Sequence, residues 1–213
     1  MTSVPPREPV VLTGSRAVLS IPTGHDIDRI TELCRDAAIA AWTTVPVPYV
    51  RADAEGFVFG FVTSGWAHGT GCTWAIRLEP DGPLVGMIGL DGIKDGEAEV
   101  GFWLAPDARG RGVMSEAVSL VADYAFAPSG LAVRAASGLG LERLVWHAFT
   151  GNAASAAVAR RAGFRFEGEH RLGGSQRGRR LDDWQASLLR DDPRTPASGW
   201  PEQTFVQREP VEG

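Results

Sequence analysis

The stretch Gly101-Phe-Trp-Leu-Ala-Pro-Asp-Ala-Arg-Gly-Arg-Gly-Val-Met-Ser-Glu116 carries the most chemistry in its spacing. A strand-like run leads through Pro106 into Arg109-Gly110-Arg111-Gly112, and a helical pattern opens directly afterwards. Glycine lets the backbone turn tightly and approach a ligand with no side chain in between. The start of a helix offers unpaired N–H groups and the positive end of its dipole, which suits a pyrophosphate. Arg109 and Arg111 add positive charge, so the loop reads as an anion site for a phosphorylated cofactor. A dinucleotide fingerprint fits poorly, because G-x-G-x-x-G needs glycine where Ser115 stands. A P-loop needs Gly-Lys-Ser/Thr, which is absent. A glycine loop that merely turns a corner is the bland alternative.

Other reactive residue types are sparse. His25, His68, His147 and His170 stand singly, without the spacing of a metal motif, and no metal site is expected. His147 precedes Asn152 on a strand and is a candidate for facing a cleft, beside the plainer reading of a half-buried histidine. No Gly-x-Ser-x-Gly elbow is present. Cys34 and Cys72 offer neither a disulfide framework nor a thiolate zinc site, and read as small buried hydrophobes.

The elements that must position these residues follow from periodicity. Val10–Leu12 and Arg16–Ile21 read as an opening strand, and Ile27, Ile30 and Leu33 have helical spacing. Trp42 to Tyr49, with Pro46 and Pro48, is extended or looped, and a second helical segment spans Ala52 to Thr63. Cys72–Leu78, Leu84–Leu90 and Glu97–Leu104 form an antiparallel meander with short connections. Met114, Ala117, Val118, Val121, Tyr124 and Ala125 make one apolar helix face. After a Gly/Ala/Ser-rich connection from Pro128 to Gly140, Leu144–Phe149 is a strand. Asn152 then sits at an N-cap position and Gly163 at a helix stop, with Phe164–Phe166 and Asp183–Leu189 as closing strands.

The 213 residues, 44% hydrophobic and 22% charged, favour one domain with an ordinary core. The chain has no apolar run long enough for a membrane span and no visible secretory signal, so reducing cytosol is the expected compartment. A net charge of −5 disfavours a dedicated nucleic-acid binder. Of the 21 basic residues only Lys94 is lysine. Arg160, Arg161, Arg165, Arg171, Arg177, Arg179 and Arg180 form a local basic run: a solvated surface, or a patch facing phosphates or an acidic partner.

In order, these motifs resemble the Gcn5-related N-acetyltransferase (GNAT) superfamily and, within it, the RimJ/RimL-type protein N-terminal acetyltransferases. The superfamily's acetyl-CoA signature, Arg/Gln-x-x-Gly-x-Gly/Ala, is met by Arg109-x-x-Gly112-x-Met114, with Met114 in place of a small residue. Glu99-Val-Gly-Phe-Trp-Leu104 is similar to the strand before the signature. Asn152-Ala-Ala-Ser155, Arg161-Ala-Gly-Phe164 and Glu167-Gly168 are similar to the family's late segment. The resemblance runs from Val10 to Leu189.

It implies an α/β (α+β) fold: a mixed, mostly antiparallel twisted sheet split at its centre and flanked by helices. The domain would span residues 9–190, between a flexible 1–8 and a proline-rich tail, 191–213, expected to be loose even though Trp200 and Phe205 offer anchors. The resemblance further implies acetyl-CoA as cosubstrate, no metal, and a primary-amine acceptor, either a protein N-terminus or a small molecule. A homodimer is compatible with it. The main chain of Trp103 and Leu104 would pair with the pantetheine arm. The amides of Arg109, Gly110, Arg111, Gly112, Val113, Met114 and Ser115 would hold the pyrophosphate, and Asn152 would contact the cofactor arm. Glu99 would take the ammonium proton and Ser155 would protonate the departing thiolate. The alternatives for these two are an exposed strand carboxylate and a helix-capping serine; the alternative for the whole chain is a non-catalytic acyl-CoA-binding module.

Overall fold

The computed structural model describes residues 7–129 and 138–209, so most of the expected Pro128–Gly140 connection lies outside the described residues. Among the described residues eight strands form one sheet: β1 (Leu12–Thr13), β2 (Val18–Ser20), β3 (Cys72–Arg77), β4 (Leu84–Lys94), β5 (Glu97–Leu104), β6 (Arg143–Phe149), β7 (Arg165–Gln176) and β8 (Arg179–Leu189). Their order is β1-β2-β3-β4-β5-β6-β8-β7. Every pairing is antiparallel except β5 with β6, which is parallel.

Alternation along the strands decides which side chain faces which layer. Trp74, Ile76, Ile88, Val100, Trp146 and Ala186 belong to one core, shared with α5 (Val113–Phe126) and α6 (Ala153–Arg161). Ala75, Met87 and, in part, Trp103 point the other way, into a smaller core with α1 (Ile27–Leu33), α2 (Ala37–Trp42) and α3 (Arg51–Glu55). Glu99 lies between the α5-facing Ala98 and Val100, and His147 between Trp146 and Ala148, so both project on the α1–α3 face.

Local chemistry sets the helix ends. Thr23 and Asp26 form a reciprocal capping box ahead of α1, and Asp36 Oδ1 accepts from the Ile39 N–H at the start of α2. The expected 52–63 helix runs on as α3, a π-helical stretch Gly56–Val62 and α4 (Thr63–His68). The wider winding stacks Phe57 on Phe61, 5.6 Å apart, and leaves Phe61 and Phe59 exposed.

Two regions differ from the sequence expectation. The closing strands are much longer than the expected 164–166 and 183–189, because β7 and β8 make a hairpin whose tip is polar and glycine-rich; cross-strand hydrogen bonding rather than apolar alternation sustains it. The chain after 190, expected to be loose, lies along the body as far as 209. Trp200 is buried against Trp146 and Phe166, its indole N–H donates to Phe164 O at 3.0 Å, and Arg160 stacks over Phe205. Two aromatic anchors outweigh the prolines there. No helix among the described residues is long and apolar enough to cross a membrane.

Candidate active site

The sheet opens at its centre. Only Glu97, Ala98 and Glu99 of β5 pair with β6, opposite Arg143, Leu144 and Val145. Beyond them β5 continues to Leu104 and β6 to Phe149, and the two strands line a cleft of about 410 Å³ between them. On the other side of β5, Gly86 lets β4 approach closely: a Cβ there would come within 2.5 Å of Trp103 O. The cleft leaves β5 from Val100 to Leu104 unpaired on the β6 side, a ready edge for an extended ligand.

Past Leu104 the chain turns through Pro106–Ala108 into the glycine loop. Gly110 and Gly112 have φ of +72° and +77°, left-handed values that only glycine adopts without strain. Gly112 is the N-cap of α5, with no side chain capping the helix. Its first amides therefore point outward without intrahelical acceptors. Arg16, Arg111, Arg161 and Arg194 surround the pocket of about 560 Å³ beside this helix end, together with Ser115 and Ser119. One Arg194 nitrogen, Nη1, is buried without a hydrogen-bond partner among the described residues, while its guanidinium rests 4.6 Å over the Phe126 ring. Glu116, in the first turn of α5, accepts hydrogen bonds from the Ser15 N–H and hydroxyl and from the Arg16 and Ala17 N–H groups, and so carries Arg16 to the pocket rim. Partial burial works to raise its pKa, but these bonds win and hold it below the ordinary value.

The structure distributes the expected site residues as follows. Trp103 lines the cleft, and Leu104 O accepts from Arg109 Nε at 3.0 Å, so Arg109 braces the loop. Arg111, Gly112 and Ser115 line the arginine pocket, and Gly110 shapes the turn before it. Val113 and Met114 send their side chains into the core; Met114 is 6% exposed, so its length is absorbed away from the helix end. Asn152 and Ser155 line the cleft from α6. Asn152 Oδ1 accepts from the Ser155 N–H, which makes Asn152 the N-cap. The Ser155 side chain takes no part in that cap: its Oγ accepts from the buried Trp146 indole N–H at 3.0 Å. An acceptor role toward Trp146 leaves the hydroxyl hydrogen free to be donated elsewhere.

Glu99 opens on the cleft from the opposite face, with Asp91 paired beside it on β4. Its surface is accessible within the cleft, yet the surrounding walls strip away bulk water, and this desolvation raises its pKa; His147 opposes the rise, while Asp91 and Asp183 add to it. His147 Nδ1 lies 2.8 Å from Asp183 Oδ2 at the cleft wall. Burial pushes the Cys34 thiol up to about 11 and that of Cys72 to about 12, which suits neither for nucleophilic work.

Asp183, Asp91, Arg16 and Arg194 escaped the sequence reading, whereas Arg161 belongs to the basic run that could face phosphates. Asp183 alone left a trace: it precedes the inward-facing Trp184, Ala186 and Leu188, so alternation puts it on the Glu99 face. The others converge only through tertiary packing.

Comparison with known proteins agrees with this geometry. The profile of the acetyltransferase (GNAT) domain matches residues 16–165. A Bacillus subtilis protein provisionally named as a ribosomal N-acetyltransferase, YdaF, is 35% identical over 112 residues, covering 52% of this chain and 56% of its own. The chain thus spans about half the length of the curated relatives it matches. Among solved structures, Mycobacterium smegmatis RimJ in complex with a CoA disulfide aligns with a TM-score of 0.71 at 19% identity, over 85% of this chain and 86% of that one. RimL, a ribosomal L7/L12 α-N-protein acetyltransferase in complex with CoA, aligns at 0.72 and 19%, over 84% and 98%. At these identities the likeness is one of fold.

Proposed function

Because the chain belongs to the GNAT acetyltransferase family, we propose that it moves the acetyl group of acetyl-CoA to a primary amine by direct attack within a ternary complex. The observation that carries this reading is the split between β5 and β6, with phosphate-binding chemistry at one end and proton-handling groups on both faces. An extended pantetheine chain suits the free β5 edge. The α5 amides and the arginine pocket suit the phosphates of the nucleotide.

The two proton tasks fall to residues on opposite faces of the sheet. Glu99, on the α1–α3 face, accepts a proton from the incoming ammonium, directly or through a water, aided by its raised pKa. The freed nitrogen lone pair attacks the thioester carbon, and the carbon–sulfur bond breaks with its electron pair on sulfur. Ser155, on the α6 side, donates its hydroxyl proton to that thiolate while Trp146 holds its oxygen, and the serine oxygen regains a proton, through water, from the second one that the new amide nitrogen sheds. The main-chain N–H after Leu104 donates to Val85 O at 2.8 Å, so it serves the sheet and is not free to polarise the acetyl carbonyl. His147, fixed by Asp183, faces the same cleft as Glu99.

The acceptor is an amine that arrives protonated. No Lys or Arg among the described residues lines the cleft, whereas Asp91, Glu99 and Asp183 do. A cleft open to solvent and edged by the exposed Phe61 has room for a protein N-terminus, in keeping with the names of the ribosomal-protein relatives. Thermal unfolding with acetyl-CoA, CoA and NAD, followed by thiol release with peptide N-termini and small amines, tests the proposal. At 100 times Kd a native-state ligand adds about 2.7 kcal/mol, a rise of roughly 5–11 °C at this size. Stabilisation by acetyl-CoA and CoA but not NAD is expected. No response to either thioester or thiol at saturation would overturn the assignment.

A further inference from the structure

Three strands bring together side chains that are far apart in sequence. Asp183 on β8 sits between Phe149 of β6 and His170 of β7 in the strand registers, and His147 lies two residues before Phe149. The donor atoms of His147, His170 and Asp183 all lie within 4.8 Å of one another.

The charge balance at Asp183 is unusual for this chain. Asp26, the other carboxylate of comparable burial, is held by Arg77 at 2.8 Å. Asp183 is 5% exposed and, among the described residues, has only imidazoles as possible counter-ions and no hydrogen-bond partner for its buried Oδ1. Buried charges are normally paired or engaged with a metal. His170 Nδ1 lies 3.7 Å from Oδ1, too long for a hydrogen bond. Gly173 presses its backbone onto the pair: a Cβ there would come within 1.9 Å of Asp183 Oδ1 and 2.6 Å of His170 Cβ. Only glycine lets the β7 backbone pack this closely against the carboxylate.

From this convergence we infer that His147, His170 and Asp183 form a binding site for a zinc-class divalent ion at the acceptor end of the cleft. Two imidazoles and a carboxylate are ligands that zinc takes, with a fourth position left for water. Tetrahedral ligands at about 2.0–2.2 Å from zinc stand roughly 3.3 Å apart, so the three donors must draw in by about 1.5 Å at most. His170 is half exposed at a polar strand and has the freedom to rotate inward. The bound ion replaces the His147–Asp183 hydrogen bond and sets a double positive charge beside Glu99. It repels an ammonium acceptor and weakens Glu99 as a base, so occupancy inhibits transfer. Ion binding stands independently; its inhibitory consequence rests on the acetyltransferase reading.

The test uses the full chain without an affinity tag, titrated with Zn²⁺ in competition with a chromophoric chelator, and with Co²⁺ for its absorption spectrum. One ion per chain is expected. His170→Gln should weaken binding by more than the ~10–100-fold that follows loss of an outer-shell partner, with basal acetylation unchanged and its inhibition by Zn²⁺ lost. Asp183→Asn should abolish the cobalt spectrum. Absence of saturable binding at one per chain, or undiminished binding by His170→Gln, overturns the site. One-to-one, His170-dependent binding upholds it even in a protein that transfers no acetyl group, so the two readings fail separately.

Discussion

Ser155→Ala separates the chemistry of the site from its architecture. The serine hydroxyl is the acceptor for the indole N–H of Trp146, which is 1% exposed. Removing it strands a buried donor at a cost of about 1–3 kcal/mol. At this chain length each kcal/mol is worth roughly 2–4 °C, so Tm should fall by roughly 2–12 °C. The helix cap is untouched, because Asn152 Oδ1 accepts from the backbone N–H of residue 155, which alanine retains. If the hydroxyl also protonates the thiolate, kcat should drop by about 10²-fold or more, with little change in the affinity for acetyl-CoA. Steady-state thiol release well below the variant's Tm, beside a melting curve, reads both effects. Ser155→Thr keeps the hydroxyl and should recover most of the rate. A lowered Tm with kcat within twofold of the parent would refute proton donation and leave Ser155 as a prop for Trp146.

Glu99→Gln should cut kcat/KM by about 10²-fold or more. A base works deprotonated and Glu99 has a raised pKa, so the parent's rate should climb with pH above the ordinary carboxylate range, and the variant's pH profile should lose that limb. Glu116→Gln should destabilise the protein at pH 7 by about 1 kcal/mol, a figure reduced for solvent exposure. The folded-state pKa of Glu116 is depressed, so its contribution is present above the unfolded value near ~4.3 and fades as pH falls through the folded one; urea denaturation at pH 7 and in acid should show the gap closing. Arg194→Ala should weaken CoA binding about 10–150-fold, the value of a charged hydrogen bond worth ~1.5–3 kcal/mol. Calorimetry with CoA and dephospho-CoA would tell a grip on the 3′-phosphate from one on the pyrophosphate. Trp200→Ala should cost about 3–5 kcal/mol and slow turnover through Trp146, 5.7 Å from the Trp200 ring; a full-speed variant would disconnect the tail from the site.

The glycine loop, the helix after it and the Asn152–Ser155 turn were legible because their chemistry is local: left-handed glycines, a cap, an apolar stripe. So was the central meander, whose strands alternate and whose turns are short. The β7–β8 hairpin was not, since residues 169–175 carry no apolar alternation. The arginine pocket was equally hidden. Arg16, Arg111, Arg161 and Arg194 come from a strand turn, the loop, the end of α6 and the tail, and only the closed fold puts them together. Four isolated histidines likewise gave no hint that His147 and His170 flank one aspartate, because a cross-strand neighbour leaves no mark in linear spacing.

Charge segregation across the split bears on how a catalytic cycle would proceed. Four arginines attend the end suited to phosphates, and the acceptor side of the cleft has carboxylates without a single arginine among the described residues. On the proposed acetyl transfer, fields of opposite sign on the two sides would steer a polyanionic thioester and a cationic amine to different entrances and disfavour the reverse. Acetylation then removes the positive charge from the nitrogen. The product amide would no longer answer the field of Asp91, Glu99 and Asp183, so the attraction that gathers the proposed substrate would not retain the product. The proposed divalent-ion site lies on the same side, where no Lys or Arg among the described residues lines the wall to oppose a positive ion.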